Sequence, residues 1–380
     1  MEKFVELIQR VHQERFSVVM NKIVAEKIPV AFLSLAPIET AVQLVNNLRA
    51  QGANVTTLIT MENPTPPPHL KTDFNIVRIS QASKLHPRPE YIFAHDPLTA
   101  RISAKYLPDC ITLYPTSRNT DYIYQTFMNH LTDLRKVYLS LIDEESRKTF
   151  CGYWLSSISE RLGEIVYTNT HHYITEGFIP DKGAVVIDVG ACNGDMSKFF
   201  SEMGCKVYAF EMDRKNFENA KKIAEESHFV VENLGLGSYK RNVRYESLGS
   251  MSQVNPNGSE TAQITTLDAY VSEHNISHVD CIKLDVEGAE LDVLKGATTT
   301  IARFKPILLL SAYHKPDDFW VLMNFVKSIR SDYEFAMRQY RSSLEDLPPS
   351  ESSLQLENTL YSLGLDVKVC WYNECCILAR

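Results

Sequence analysis

The stretch Ala184-Val185-Val186-Ile187-Asp188-Val189 runs directly into Gly190-Ala191-Cys192-Asn193-Gly194-Asp195, and its reading decides the fold. The first six residues are small or β-branched apart from one acid, the composition of a short buried strand. Two glycines then close a tight turn, and Met196–Met203 follows as a helix. A glycine turn between a strand and a helix N-terminus presents backbone N–H groups that can receive an anion or a carboxylate. About 20 residues further on, the strand Lys206–Phe210 ends in Glu211, where an acid is placed to bond the hydroxyls of an adenosine ribose.

Two adenosine cofactors suit this pattern, a dinucleotide or S-adenosylmethionine. A G-x-G-x-x-G fingerprint beginning at Gly190 requires glycine at 192 and 195, and the chain has Cys192 and Asp195 there. Asp188 and Asp195 would repel a pyrophosphate, whereas they suit a ligand carrying an ammonium and a sulfonium. S-adenosylmethionine is therefore the expected cofactor. An NAD-dependent oxidoreductase is the alternative from another class, and a non-catalytic binding module on the same fold is a third reading.

A second constellation lies in Asp280-Cys281-Ile282-Lys283-Leu284-Asp285-Val286-Glu287-Gly288-Ala289-Glu290-Leu291-Asp292-Val293-Leu294-Lys295-Gly296-Ala297, a short strand running into a helix. Its polar residues gather where the strand ends, the edge at which open α/β sheets bind ligands. Burying Lys283, Asp285 and Glu287 together is costly unless they pair or serve a reaction. The alternative is a structural ion pair, with Glu287 and Glu290 favouring the helix N-terminus.

With these residues in view, the sequence resembles the FkbM family of S-adenosylmethionine-dependent methyltransferases from about Asn169 to Ala379. The carrying motifs are Val186–Ala191 through Gly194-Asp195, Ala209-Phe210-Glu211, Thr266-Leu267-Asp268 and, most specifically, Ile282–Ala297. Tyr313–Asp318 and Asp143–Arg147 resemble blocks of one branch of the family. Met212 stands where the family commonly has proline, and the region after Ser342 does not align readily.

The resemblance implies a Rossmann-like, seven-stranded, mostly parallel α/β sheet with one antiparallel strand, for which Tyr333–Arg338 and Glu374–Ala379 are the candidate final pair. It also implies cofactor contacts. The turn Gly190, Ala191, Asn193, Gly194 and Asp195 would face the methionine portion, Asp188 the ammonium and Glu211 the ribose. Met212, Asn233 and Leu234 would lie near the adenine, and Asp285 near the reactive end. The family's association with hydroxyl groups of sugars, glycans and secondary metabolites implies O-methylation of a small-molecule or glycan acceptor.

Methyl transfer to a hydroxyl profits from a general base. Asp285, Glu287 and His314 are the candidates, since His314 follows the apolar strand Pro306–Ser311 and shares that sheet edge. Lys283 has an ordinary pKa near 10 and orients a carboxylate more readily than it accepts a proton. Methyltransferases acting on nucleobase amines resemble one another in an N/D-P-P-Y/F tetrad at this place, and here it reads Leu284-Asp285-Val286-Glu287. No metal site is expected: His274 and His278 fall in a loop, and no cysteines stand in a C-x-x-C pair. Lys240, Arg241 and Arg244 read as a solvated hairpin face, and His171 and His172 could line a pocket mouth.

Composition agrees. Of 380 residues, 44% are hydrophobic and 23% charged, and the formal charge of −8 gives no footprint for nucleic acid or an anionic membrane. The longest apolar run, Ile307–Ala312, is far short of the ~20 residues of a spanning helix, and Met1–Glu6 lacks a signal-peptide core. A cytoplasmic protein with free thiols is expected, its oligomeric state open. Length suggests two domains. Residues 1–135 alternate strands and helices as a smaller Rossmann-like domain whose first turn, Ser34-Leu35-Ala36-Pro37, has no glycine cradle. Residues 136–180 read as a helical connector and 181–380 as the methyltransferase domain. Within the first part, the opening ~25 residues read as one amphipathic helix, and Pro64, Pro66, Pro67 and Pro68 force an extended loop. Another loop is expected at Leu347–Ser353.

Overall fold

The structure is a computed structural model. It describes the chain except residues 14–15, 61–71, 95–98, 100–101, 104–105, 114–119, 160–164, 169, 171, 250–251 and 344–369. The proline cluster, His171 and the loop at 347–353 lie outside the described residues. Two compact units form, one from Met1–Asn129, Lys148–Val166 and Arg341–Tyr372, the other from His130–Arg147, Tyr167–Tyr340 and Asn373–Arg380.

In the first unit the strands β1 (Pro29–Ser34), β2 (Asn54–Thr60), β3 (Asn75–Arg78), β4 (Tyr91–Ala94) and β5 (Ile111–Leu113) make a parallel sheet ordered β3-β2-β1-β4-β5. Alternate β1 residues serve opposite faces. Val30 and Phe32 pack with Val42 and Val45 of the helix Ile38–Ala50, and Ala31 and Leu33 pack with Ile59 and Ile92. A strand covered on both sides must be apolar throughout, which is why β1 reads as an unbroken run. In the N-terminal segment the described residues Glu2–Gln13 and Phe16–Glu26 are helical.

The second unit carries β6 (Val185–Val189), β7 (Lys206–Phe210) and β8 (Val230–Glu232). A small sheet follows, of β9 (Gly235–Leu236), β10 (Arg241–Glu246), β11 (Gln253–Val254) and β12 (Glu260–Thr265), ordered β11-β10-β12-β9. Then come β13 (Cys281–Leu284), β14 (Ile307–Ser311), β15 (Phe335–Ser343) and β16 (Cys370–Ala379). The main sheet has seven strands ordered β15-β16-β14-β13-β6-β7-β8. From β14 to β8 the pairing is parallel, and β16 runs antiparallel to β14, with Leu308 opposite Ala379 and Ser311 opposite Cys376. The last strand pair is thus longer than the sequence suggests, with β16 between β14 and β15.

The chain leaves β6 toward β7 and β8 on one side and later places β13 and β14 on the other. That reversal opens a crevice at the carboxyl end of β6, where such sheets bind ligands. Below it, Val186, Phe200, Val207, Ala209, Cys281 and Leu309 share one buried core. Arg241 is not a solvated residue of a hairpin face: its guanidinium donates to Asp292 at 2.7 Å, because β10 leaves the small sheet beside the helix Glu290–Lys295. Among the described residues, no helix is long and apolar enough to cross a membrane.

Candidate active site

The turn after β6 is built from left-handed backbone. Gly190, Cys192 and Gly194 have φ of 75°, 49° and 93°, a region glycine enters freely and cysteine only under strain. Gly190 and Ala191 both donate their N–H to the Phe210 carbonyl, at 3.0 and 3.1 Å, which fastens the turn to the end of β7. Gly194 caps the helix Asp195–Glu202. A Cβ on Gly194 would stand 3.2 Å from Phe229 and 3.3 Å from Ala220, so the turn is packed tightly from below. Asn193 is exposed and accepts from Asn219 at 3.2 Å, and Asp195 is exposed at the helix start. Burial pushes the Cys192 thiol up to about 11, which makes it an inert thiol rather than a nucleophile.

Asp188 stands within β6, two residues before Gly190. It is fully buried, with Lys283 Nζ 3.0 Å from one carboxylate oxygen and the Ser197 hydroxyl donating to the other at 2.6 Å. Lys283 also donates to the Gly190 carbonyl at 2.8 Å. Burial pulls the Lys283 ammonium down, but Asp188 and Asp285 outweigh it and hold its pKa above the ordinary value. The acid that seemed suited to a ligand's ammonium is neutralised by an internal cation and braces the turn.

Glu211, at the end of β7, is 6% exposed. One carboxylate oxygen accepts the Cys192 N–H at 2.8 Å and the other the Asp213 N–H at 2.7 Å. Asn233 donates to the carbonyls of Glu211 and Met212 at 2.9 and 3.1 Å, bringing the segments after β7 and β8 together, with Leu234 beside them and half-buried. Burial pushes the Glu211 carboxyl up to about 7. Its folded pKa lies above the ordinary 4.5, so the folded chain binds the extra proton across that window. Stability is therefore expected to fall as pH rises through it. Urea midpoints taken from pH 4.5 to 7.5 should show this slope in the wild type and lose it in Glu211→Gln; parallel profiles would remove the assignment.

The third part of the site lies at the ends of β13 and β14. The Asp285 N–H donates to the Val189 carbonyl at 3.1 Å, continuing the β13–β6 ladder to the crevice. Its carboxylate accepts from the hydroxyls of Tyr173 and Tyr313, each at 3.2 Å. Burial raises the Asp285 carboxyl, but Lys283, His172 and His314 outweigh it and hold the pKa below the usual range. Glu287 and Gly288 form a left-handed turn, with φ of 51° and 90°. Glu290 is 1% exposed, and its Oε1 accepts the N–H groups of Val286 and Gly288 at 3.1 and 3.4 Å.

His314 comes in from the end of β14. Its Nδ1 is 2.9 Å from Glu290 Oε1, and its Nε2 is 3.5 Å from Glu287 Oε2 and 3.7 Å from Asp285 Oδ1. Burial lowers the ring's pKa, but the three carboxylates outweigh it and raise it above 6.5. The structure thus brings Asp285, Glu287 and His314 to one sheet edge. Sequence reasoning missed Tyr173, which carries no motif, and Tyr313, which adjoins His314. It also assigned Glu290 only to the helix N-terminus, although its spacing from Asp285 turns it back toward the strand end. His274 and His278 are not brought together: His274 stacks on Tyr270 and His278 pairs with Asp280 at 2.8 Å.

A seven-stranded sheet in which β16 runs antiparallel to β14, with a glycine turn at its switch point and an acid ending the next strand, defines a Rossmann-like methyltransferase fold. Residues 188–342 match the family model described as the methyltransferase FkbM domain, so the chain carries the domain its sequence resembles. The crystal structure of methyltransferase FkbM from Methylobacillus flagellatus KT superposes with a TM-score of 0.59 at 16% identity, over 99% of each chain. At that identity the likeness is one of fold. Precorrin-6y C5,15-methyltransferase from Geobacter metallireducens GS-15 gives 0.33 at 10% identity over 56% of this chain and 92% of its own. Aeropyrum pernix fibrillarin with natively bound S-adenosyl-L-methionine gives 0.25 at 12%, over 53% and 67%. Of these three, the first spans nearly the whole chain. No curated protein matches the sequence.

Proposed function

We propose that the chain is an S-adenosylmethionine-dependent O-methyltransferase acting on a hydroxyl of a sugar, glycan or secondary metabolite. The observation that carries the cofactor is Glu211. Its buried carboxylate accepts two backbone N–H bonds, and an ionised carboxylate has about four acceptor positions, so two are left for a pair of ribose hydroxyls. The turn Gly190–Asp195 would hold the methionine portion, and Met212, Asn233 and Leu234 would flank the adenine. Bound S-adenosylmethionine supplies an electrophilic methyl group on a sulfonium.

This chain's own residues then have two tasks. The Asp285 carboxylate, fixed by Tyr173 and Tyr313, marks the strand edge where the acceptor is oriented. Glu287 is the most open of the three candidate bases, with a side chain 29% exposed against 22% for Asp285 and 8% for His314. It is therefore assigned to take the hydroxyl proton. Its left-handed backbone is the kind of strain that functional sites retain. The net charge of −8 and the missing N/D-P-P-Y/F tetrad argue against a nucleic-acid acceptor.

The cofactor reading is tested by thermal shift. S-adenosylhomocysteine at 100 times its Kd should stabilise the chain by about 2.7 kcal/mol, and stabilisation by NAD+ alone would overturn the reading. Once a screen of sugars and glycans with labelled cofactor finds an acceptor, Glu287→Gln should lower kcat by roughly 10²–10⁴. Its S-adenosylhomocysteine affinity should be unchanged.

A further inference from the structure

The contact between His314 and Glu290 is chemically odd. A ring nitrogen 2.9 Å from a carboxylate oxygen ought to be a hydrogen bond, yet both nitrogens of His314 lack a hydrogen-bond partner in the structure. Glu290 Oε2, on a side chain 1% exposed, is likewise buried and without a partner. Leaving such groups unmade is expensive. Around them the charge is lopsided, with the carboxylates of Asp285, Glu287 and Glu290 all within 3.7 Å of one imidazole.

We propose that Asp285, Glu290 and His314 form a binding site for a first-row divalent cation. One ligand atom from each lies within 4.8 Å of the other two. Neighbouring ligands on an ion with bonds of about 2.1 Å stand about 3 Å apart. The 2.9 Å contact to Glu290 is made by Nδ1 and the 3.7 Å contact to Asp285 by Nε2, so the ring would bind through one nitrogen and the set, spread over at most 4.8 Å, closes on a cation by side-chain movement. Two ligands sharing a cation approach closely without lining up as donor and acceptor, which is the arrangement of His314 and Glu290. One imidazole and two carboxylates favour Mn²⁺, Fe²⁺ or Zn²⁺ over Ca²⁺. The surroundings fit a held ligand set: Tyr173 and Tyr313 fix Asp285 from outside, and the Val286 and Gly288 N–H groups fix Glu290 Oε1. Such outer partners orient metal ligands. The ligand set stands on these side chains alone. Its use, holding the acceptor oxygen beside Glu287 and favouring loss of its proton, rests on the hydroxyl-acceptor reading above.

The full-length chain is to be titrated with Mn²⁺ and free Mn²⁺ followed by its electron paramagnetic resonance signal, without cofactor or acceptor. A single saturable site is expected, its affinity falling at least ~10-fold in His314→Ala and in Glu290→Gln. Asp285→Asn serves as a further ligand variant should either fail to fold, with circular dichroism checking each. Absence of binding at millimolar Mn²⁺ to the wild type, or equal affinity in every folded variant, would overturn the site. S-adenosylhomocysteine binding is measured separately, so failure of the cation site and failure of the cofactor reading are distinguishable.

Discussion

Gly190→Ala is expected to abolish cofactor binding and destabilise the second unit. The residue sits at φ 75°, where an L side chain is strained, and an added Cβ would fall inside the contact distance of the Asp285 carbonyl oxygen and 3.1 Å from Val286 Cγ1. The obstacle is backbone on the neighbouring strand end, which a rotamer change cannot relieve. Either the turn lifts away from β13 or β13 moves, and both disturb the bond from the Asp285 N–H to the Val189 carbonyl that carries the β13–β6 ladder to the crevice. Overpacking of this kind costs about 1–3 kcal/mol, occasionally more, and the left-handed strain adds about 1 kcal/mol. A drop in the urea midpoint with loss of the S-adenosylhomocysteine shift is the expected result. A variant that binds with wild-type affinity would show that the close approach of turn and strand is not needed. Gly183→Ala is the control, because it also has positive φ but meets nothing within 4 Å.

Lys283→Met is expected to cost about 3–5 kcal/mol, the range for removing one partner of a buried ion pair. Lys283 is 3% exposed and Asp188 wholly buried, so the substitution leaves an uncompensated carboxylate whose remaining partner is the Ser197 hydroxyl. It also removes the donor to the Gly190 carbonyl. The cause can be separated by a double-mutant cycle. Asp188→Asn with Lys283→Met removes both charges, and should recover much of the stability lost by Lys283→Met alone. Additive losses would place the effect of Lys283 in packing rather than in its pairing with Asp188. Cofactor affinity should fall in the single variant and recover only partly in the double, since the bond to Gly190 stays lost.

Asp188 shows where reading residues in order reaches its limit. In the sequence it is an acid two residues before Gly190, with a charge that suits a cationic ligand. Lys283 lies 95 positions later, and only the pairing of β6 with β13, which sets Lys283 opposite Asp188, makes it the neutralising partner. Glu211 was easier to read, because its role depends on local order: a strand, an acid at its end, and a turn about twenty residues earlier. The same contrast separates Asp285 from His314. Asp285 belongs to a contiguous motif, whereas the environment of His314 depends on β14 lying beside β13.

The sequence by itself determined the alternation of buried strands and helices, the glycine turn, the acid ending β7 and the Ile282–Ala297 segment. Strand burial on both faces and positive-φ turns leave marks in residue type within a few positions, so they are legible along the chain. Only the tertiary structure decided which charges cancel and which are left over. It paired Lys283 with Asp188, and it gathered His314, Glu290, Asp285 and Glu287 around one point. Charge pairing acts over a few ångströms of space, and sheet topology rather than sequence distance sets which residues come that close.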